Sequence, residues 1–125
     1  MIRFCGVFPN EQIGKIFAKL DVLVVPSIWY ENTPLVIYSA QEAGCPVIAS
    51  NLGGMAEVVE HEKNGLLFEV GNVTSLAATI ERLSGDRRLL RQLAANAVEP
   101  KSISDYVNEL VTIYSNVLLE QQGKK

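Results

Sequence analysis

VLVVPSIWYENTPLVIYSAQEAGCPVIAS, residues 22–50, reads as a strand, a helix and a second strand in direct succession. Val22-Leu23-Val24-Val25 is an unbroken run of β-branched residues and leucine stopped by Pro26, the pattern of a strand buried on both faces. Thr33-Pro34 reads as a helix start, with Thr33 at the N-cap and Pro34 as the first helical residue; Gly44 closes a helix over residues 34–43. Pro46-Val47-Ile48-Ala49 follows as a second buried strand. Strand, helix and strand in one stretch make a βαβ unit, which requires parallel strands and a right-handed crossover.

The same alternation extends in both directions. Upstream, residues 2–8 read as a short strand ending at Pro9, and Asn10 can cap a helix whose apolar positions Ile13, Ile16, Phe17 and Leu20 share one face. Downstream, Gly53-Gly54 forms a turn before a short helix over residues 55–60, and residues 65–69 make a further strand after Lys63-Asn64-Gly65. From Thr74 the chain is helical, with segments over residues 74–83, 86–97 and 102–120; the last carries Val107, Leu110, Val111, Tyr114, Val117 and Leu118 at helical spacing. This predicts an α/β domain over residues 1–120, a parallel sheet of about four strands with helices on both faces, and a frayed tail over residues 121–125.

In such sheets ligands bind beyond the carboxyl ends of the strands. The loops after Val25 and Ala49 lie there and carry Glu31 and the Gly53-Gly54 pair. A helix started by Thr33-Pro34 leaves the N–H groups of Leu35 and Val36 free, and such a terminus attracts phosphate. Glycines at 53 and 54 let the backbone approach a ligand or bend tightly before a helix. Trp29 and Tyr30 are placed either to wall a ligand pocket or to join a core or interface.

Composition narrows the function. With 125 residues, 48% of them hydrophobic and 20% charged, the chain has the make-up of one globular domain with a single core. The formal net charge of −3 argues against a protein devoted to a nucleic-acid backbone, and Arg82, Arg87, Arg88 and Arg91 are interleaved with Glu81 and Asp86 as on a solvated helix face. No apolar run approaches the roughly 20 residues that span a bilayer, and the start has no secretory-signal pattern, so a cytoplasmic protein is expected. Cys5 and Cys45 lack metal-ligand neighbours and read as buried small hydrophobes; no metal and no cofactor is expected. His61 lies in a polar run and reads as a surface residue.

Taken in order, Pro26-Ser27, Glu31-Asn32-x-Pro34, Gly44-x-Pro46-Val47-Ile48-Ala49, Gly53-Gly54-x-x-Glu57 and Asn64-Gly65 resemble the donor-binding segment of retaining GT-B glycosyltransferases of the group 1 family. The resemblance implies a Rossmann-like C-terminal GT-B domain, present in part, that binds a UDP- or GDP-linked sugar as donor substrate. It implies that Glu31 faces the reacting sugar carbon as the catalytic carboxylate. Asn32, Thr33 and Pro34 would shape the approach, Leu35 and Val36 would offer N–H groups to the pyrophosphate, and Gly53 and Gly54 would lie near the donor. The family has a second glutamate that grips the ribose hydroxyls; here that position is Ser39, with Glu42 about one turn further along.

Domains of this family begin two strand-helix units earlier, with basic residues for the pyrophosphate, and follow an N-terminal domain that receives the acceptor. The resemblance therefore implies a fragment, inactive by itself and partnered by the missing acceptor domain. Its first strand is expected either to re-pair into a compact rearranged sheet or to be covered in a homodimer. Two further readings stand beside the donor-binding one. A non-catalytic remnant could act as an interaction or assembly module, whereas a receiver-type domain would call for an acidic cluster where this chain has Gly6-Val7-Phe8-Pro9.

Overall fold

The computed structural model describes residues 1–32, 34–97 and 100–123. Three strands form one parallel sheet in the order β1-β2-β3: β1 (Leu23–Val25), β2 (Val47–Ser50) and β3 (Gly65–Phe68). The register pairs Val24 with Ile48 and Ile48 with Leu66. As the apolar run of residues 22–50 predicts, the central strand β2 is buried at every position.

Helices cover both faces because successive strand residues point to opposite sides. Leu23 and Val25 of β1 and Val47 and Ala49 of β2 pack with Phe17 of α1 (Ile13–Phe17), Ile37 and Ala40 of α2 (Leu35–Glu42) and Met55 of α3 (Gly53–Val58). On the other face Ile48, Leu66 and Phe68 pack with Leu83 of α4 (Val73–Gly85) and Leu93 of α5 (Arg87–Ala95). Asn72 caps α4 by accepting from the Ser75 N–H, and Asp86 caps α5 by accepting from Arg88 and Leu89.

The fourth strand foreseen at residues 2–8 is absent. Residues 1–9 take no regular structure, Gly6 sits at φ +76°, and Ile2, Phe4 and Val7 are exposed. A strand exists only beside a partner, and no described strand lies along this segment, whose extended run Gly6 also interrupts. The three remaining strands are contiguous, so the sheet has no internal gap.

Two local starts also differ. Asn10 does not cap: a 3-10 turn over Asn10–Gln12 leads into α1, with the Gln12 N–H donating to the Pro9 carbonyl. Cys45 is buried, with its thiol pKa pushed up by loss of solvation, but Cys5 is exposed along with the unpaired first segment. The final helix, α6 (Ile103–Gln122), is capped by Ser102 and has no buried residue. Its apolar stripe forms as the spacing predicts, yet Tyr106, Val111, Tyr114 and Leu118 face outward.

Candidate functional site

The carboxyl ends of β1 and β2 bring the loop of residues 26–32 against the start of α3. The Gly54 N–H donates to the Glu31 carbonyl at 2.9 Å. A Cβ on Gly54 would come 2.5 Å from that oxygen and 2.7 Å from the Asn32 carbonyl, distances that only a glycine permits. Gly53, at φ +50°, lies against the Tyr30 ring, whose Cδ1 would be 3.2 Å from an added Cβ. The glycine pair is thus the first turn of α3, and its small size serves close packing on the Glu31-Asn32 backbone. The turn expected before the helix is absorbed into it.

Glu31 is half-buried in this junction and Asn32 is exposed. Thr33 lies outside the described residues, so its capping role is not addressed. Pro34, at φ −77° and ψ 79°, precedes α2 rather than opening it; its carbonyl accepts from the N–H groups of Ile37 and Tyr38. Among the described residues no acceptor is bonded to the N–H of Leu35 or Val36. Both residues are exposed, which keeps this end of α2 open to an anion.

Leu35, Ser39 and Glu42 recur at i, i+4 and i+7 and share one stripe of α2. The Ser39 hydroxyl donates to the Leu35 carbonyl at 3.1 Å, so it can offer a ligand only its lone pairs while that bond holds. Glu42 is exposed. Between Lys19 and Lys63 the sequence has no lysine or arginine, so phosphate charge at this edge would meet only helix-terminal N–H groups from this stretch.

Other singled-out residues fall outside the junction. Glu57 is exposed and faces a cavity of about 220 Å³ with Tyr38, Gln41 and Asn64. His61 is a surface residue whose Nδ1 accepts from the Leu67 N–H at 2.9 Å, a structural tie to β3. A second cavity of about 160 Å³ lies between Val22, Ile48 and Leu83, with the Asp21–Arg87 pair at 3.5 Å on its wall. Neither cavity is lined by Glu31 or the glycine pair. Among the described residues no group of three or more metal-ligating side chains gathers, and no helix is long and apolar enough to cross a membrane.

The close backbone contact between residues 31–32 and 53–54 is what spacing alone could not reveal. Two glycines before a helix signal a tight approach, but not what approaches.

Known proteins resemble this chain in sequence and in fold. The description "Glycosyl transferases group 1" matches residues 1–99. An uncharacterized glycosyltransferase of Methanocaldococcus jannaschii is 30% identical over 127 residues, covering 98% of this chain and 32% of that protein. A sucrose-phosphate synthase from Thermosynechococcus elongatus superposes with a TM-score of 0.82 at 30% identity, over 94% of this chain and 30% of its own. Anabaena HepE, solved in complex with UDP-glucose, gives a TM-score of 0.65 at 28% identity, over 89% of this chain and 30% of its own. The chain spans about a third or less of the length of these relatives. With its parallel sheet, its two helical layers and this match over most of its length, the chain belongs to the group 1 family of GT-B glycosyltransferases.

Proposed function

We propose that this chain forms the donor side of a glycosyltransferase cleft and holds a nucleotide-diphosphate sugar, UDP- or GDP-linked, at the carboxyl edge of its sheet. The observation that carries the reading is the pinned junction itself. The Gly54 N–H fixes the Glu31 carbonyl, and the open end of α2 follows in the chain, so a carboxylate for the sugar and N–H donors for the diphosphate fall on one edge of the sheet. The likeness to HepE, solved with UDP-glucose, supports the same ligand class.

In this reading the Leu35 and Val36 N–H groups meet the diphosphate, and Asn32, Thr33 and Pro34 shape its approach. Gly53 and Gly54 keep the floor low. Glu31 faces the reacting carbon, and the hexose passes to an acceptor with its anomeric configuration kept. Turnover requires an acceptor-binding domain across the cleft, because positioning and charge stabilisation must come from both sides. The donor is a substrate, and no further cofactor is invoked.

Ser39 sets the strength of the grip. Replacing a charged bidentate contact to ribose by a hydroxyl already bonded to Leu35 costs roughly tenfold to a hundredfold in affinity. Calorimetric titration with UDP, GDP and their glucose conjugates, beside Ser39→Glu, tests this. Weak binding that strengthens about tenfold or more in the variant supports the donor site. Absence of binding in both proteins overturns it and favours the second reading, a non-catalytic assembly module, for which the outward apolar stripe of α6 speaks.

A further inference from the structure

Ile28, Trp29 and Tyr30 are 69%, 78% and 81% exposed, although they follow directly on the strand that feeds the core. Contiguous large apolar side chains held in solvent mark an interaction site, and a fixed backbone beneath them keeps such a site preformed. Here it is fixed at three points. The Trp29 N–H donates to the Ser27 hydroxyl at 3.3 Å, the Tyr30 ring rests on Gly53, and the Glu31 carbonyl accepts from Gly54.

The chemistry of the neighbours selects the ligand. A lipid or a protein helix would want a broad unbroken apolar surface, but this run is three residues long in the chain and is followed at once by Glu31 and Asn32. Exposed aromatic residues followed in the chain by a carboxylate and an amide match a pyranose ring, which has an apolar C–H face and a rim of hydroxyls.

We propose that Trp29 and Tyr30 form a stacking platform for a pyranose ring whose hydroxyl rim turns toward Glu31 and Asn32. The ring belongs either to the donor sugar or to an acceptor saccharide. The placement rests on the donor-site reading above, and the test separates the two.

Trp29 is the only tryptophan, so the unmodified chain reports on the platform through its own fluorescence. The probes are UDP, UDP-glucose and methyl glucoside, each titrated with calorimetry in parallel. A shift in Trp29 emission with UDP-glucose but not with UDP assigns the platform to the donor sugar. A shift with methyl glucoside alone assigns it to the acceptor and holds even if UDP fails to bind. UDP bound by calorimetry with no saccharide-dependent shift overturns the platform and leaves the donor site standing, as does an equal shift from UDP alone. Neither binding nor shift overturns both.

Trp29→Ala, at an exposed position that leaves the core untouched, is expected to weaken the shifting saccharide ligand about threefold to tenfold and to leave UDP affinity unchanged; Trp29→Phe is expected to restore most of the loss. Equal weakening of UDP and UDP-glucose by Trp29→Ala would contradict a sugar-specific platform.

Discussion

The junction of residues 28–32 with Gly53-Gly54 and the helix α6 stand at opposite ends of what a sequence pattern can achieve. The junction has no periodicity, yet its backbone is locked by contacts that leave no room for a methyl group. α6 has an amphipathic pattern clean enough to read by eye, yet it buries no residue. Amphipathic spacing states a demand for a partner, whereas burial records that the demand is met.

Substitutions in the two regions should differ in cost accordingly. Leu66→Ala, at a fully buried position of β3, is expected to cost about 2–5 kcal/mol in denaturant unfolding. It sets the scale for a packed site. Gly54→Ala should cost about 1–3 kcal/mol, since the new methyl meets two backbone carbonyls that cannot rotate away. A melting temperature unchanged by that substitution would mean the junction is loose and the contrast false.

Asp86→Ala removes the cap of a helix that buries Leu93 and should cost about 1 kcal/mol. Ser102→Ala removes the corresponding cap of α6 and should loosen that helix, seen by amide exchange, without a matching loss in global unfolding. Tyr114→Ser, at a position 61% exposed, should change stability by less than about 0.5 kcal/mol. A cost near that of Leu66→Ala would mean α6 is packed in solution and has found its partner.

The smallest effect concerns acid. Arg82 hydrogen-bonds Glu62 at 2.6 Å and holds its carboxyl below the ordinary value of 4.5. A lowered folded pKa contributes stability above the unfolded value, and that contribution fades as pH falls through the folded one. The pair is solvent-exposed, so its loss in Arg82→Ala should be visible only as a slight flattening of stability against pH below about 4.5.

How far the fold was legible follows from which interactions are local. Val22-Leu23-Val24-Val25, Pro46-Val47-Ile48-Ala49 and Gly65-Leu66-Leu67-Phe68 announced their strands because apolar runs between breakers carry their own boundaries. Ile2 to Phe8 had the same look and formed nothing, because pairing depends on a neighbour far away in sequence. Glu31 and the glycine pair were recognisable as residues of one edge from their positions after strands. Their contact was not, since no local rule says that residue 54 will donate to residue 31. Cys5 and Cys45 make the same point: similar apolar surroundings in sequence, opposite fates in space.

The sheet order carries one more consequence. The three described strands lie side by side in the order in which they occur in the chain, so β2 and β3, once translated, each find a partner already made. Pairing can therefore proceed in step with synthesis, with no early strand waiting for a late one to be slotted between it and its neighbour. Among these three strands, the sheet grows from one side only.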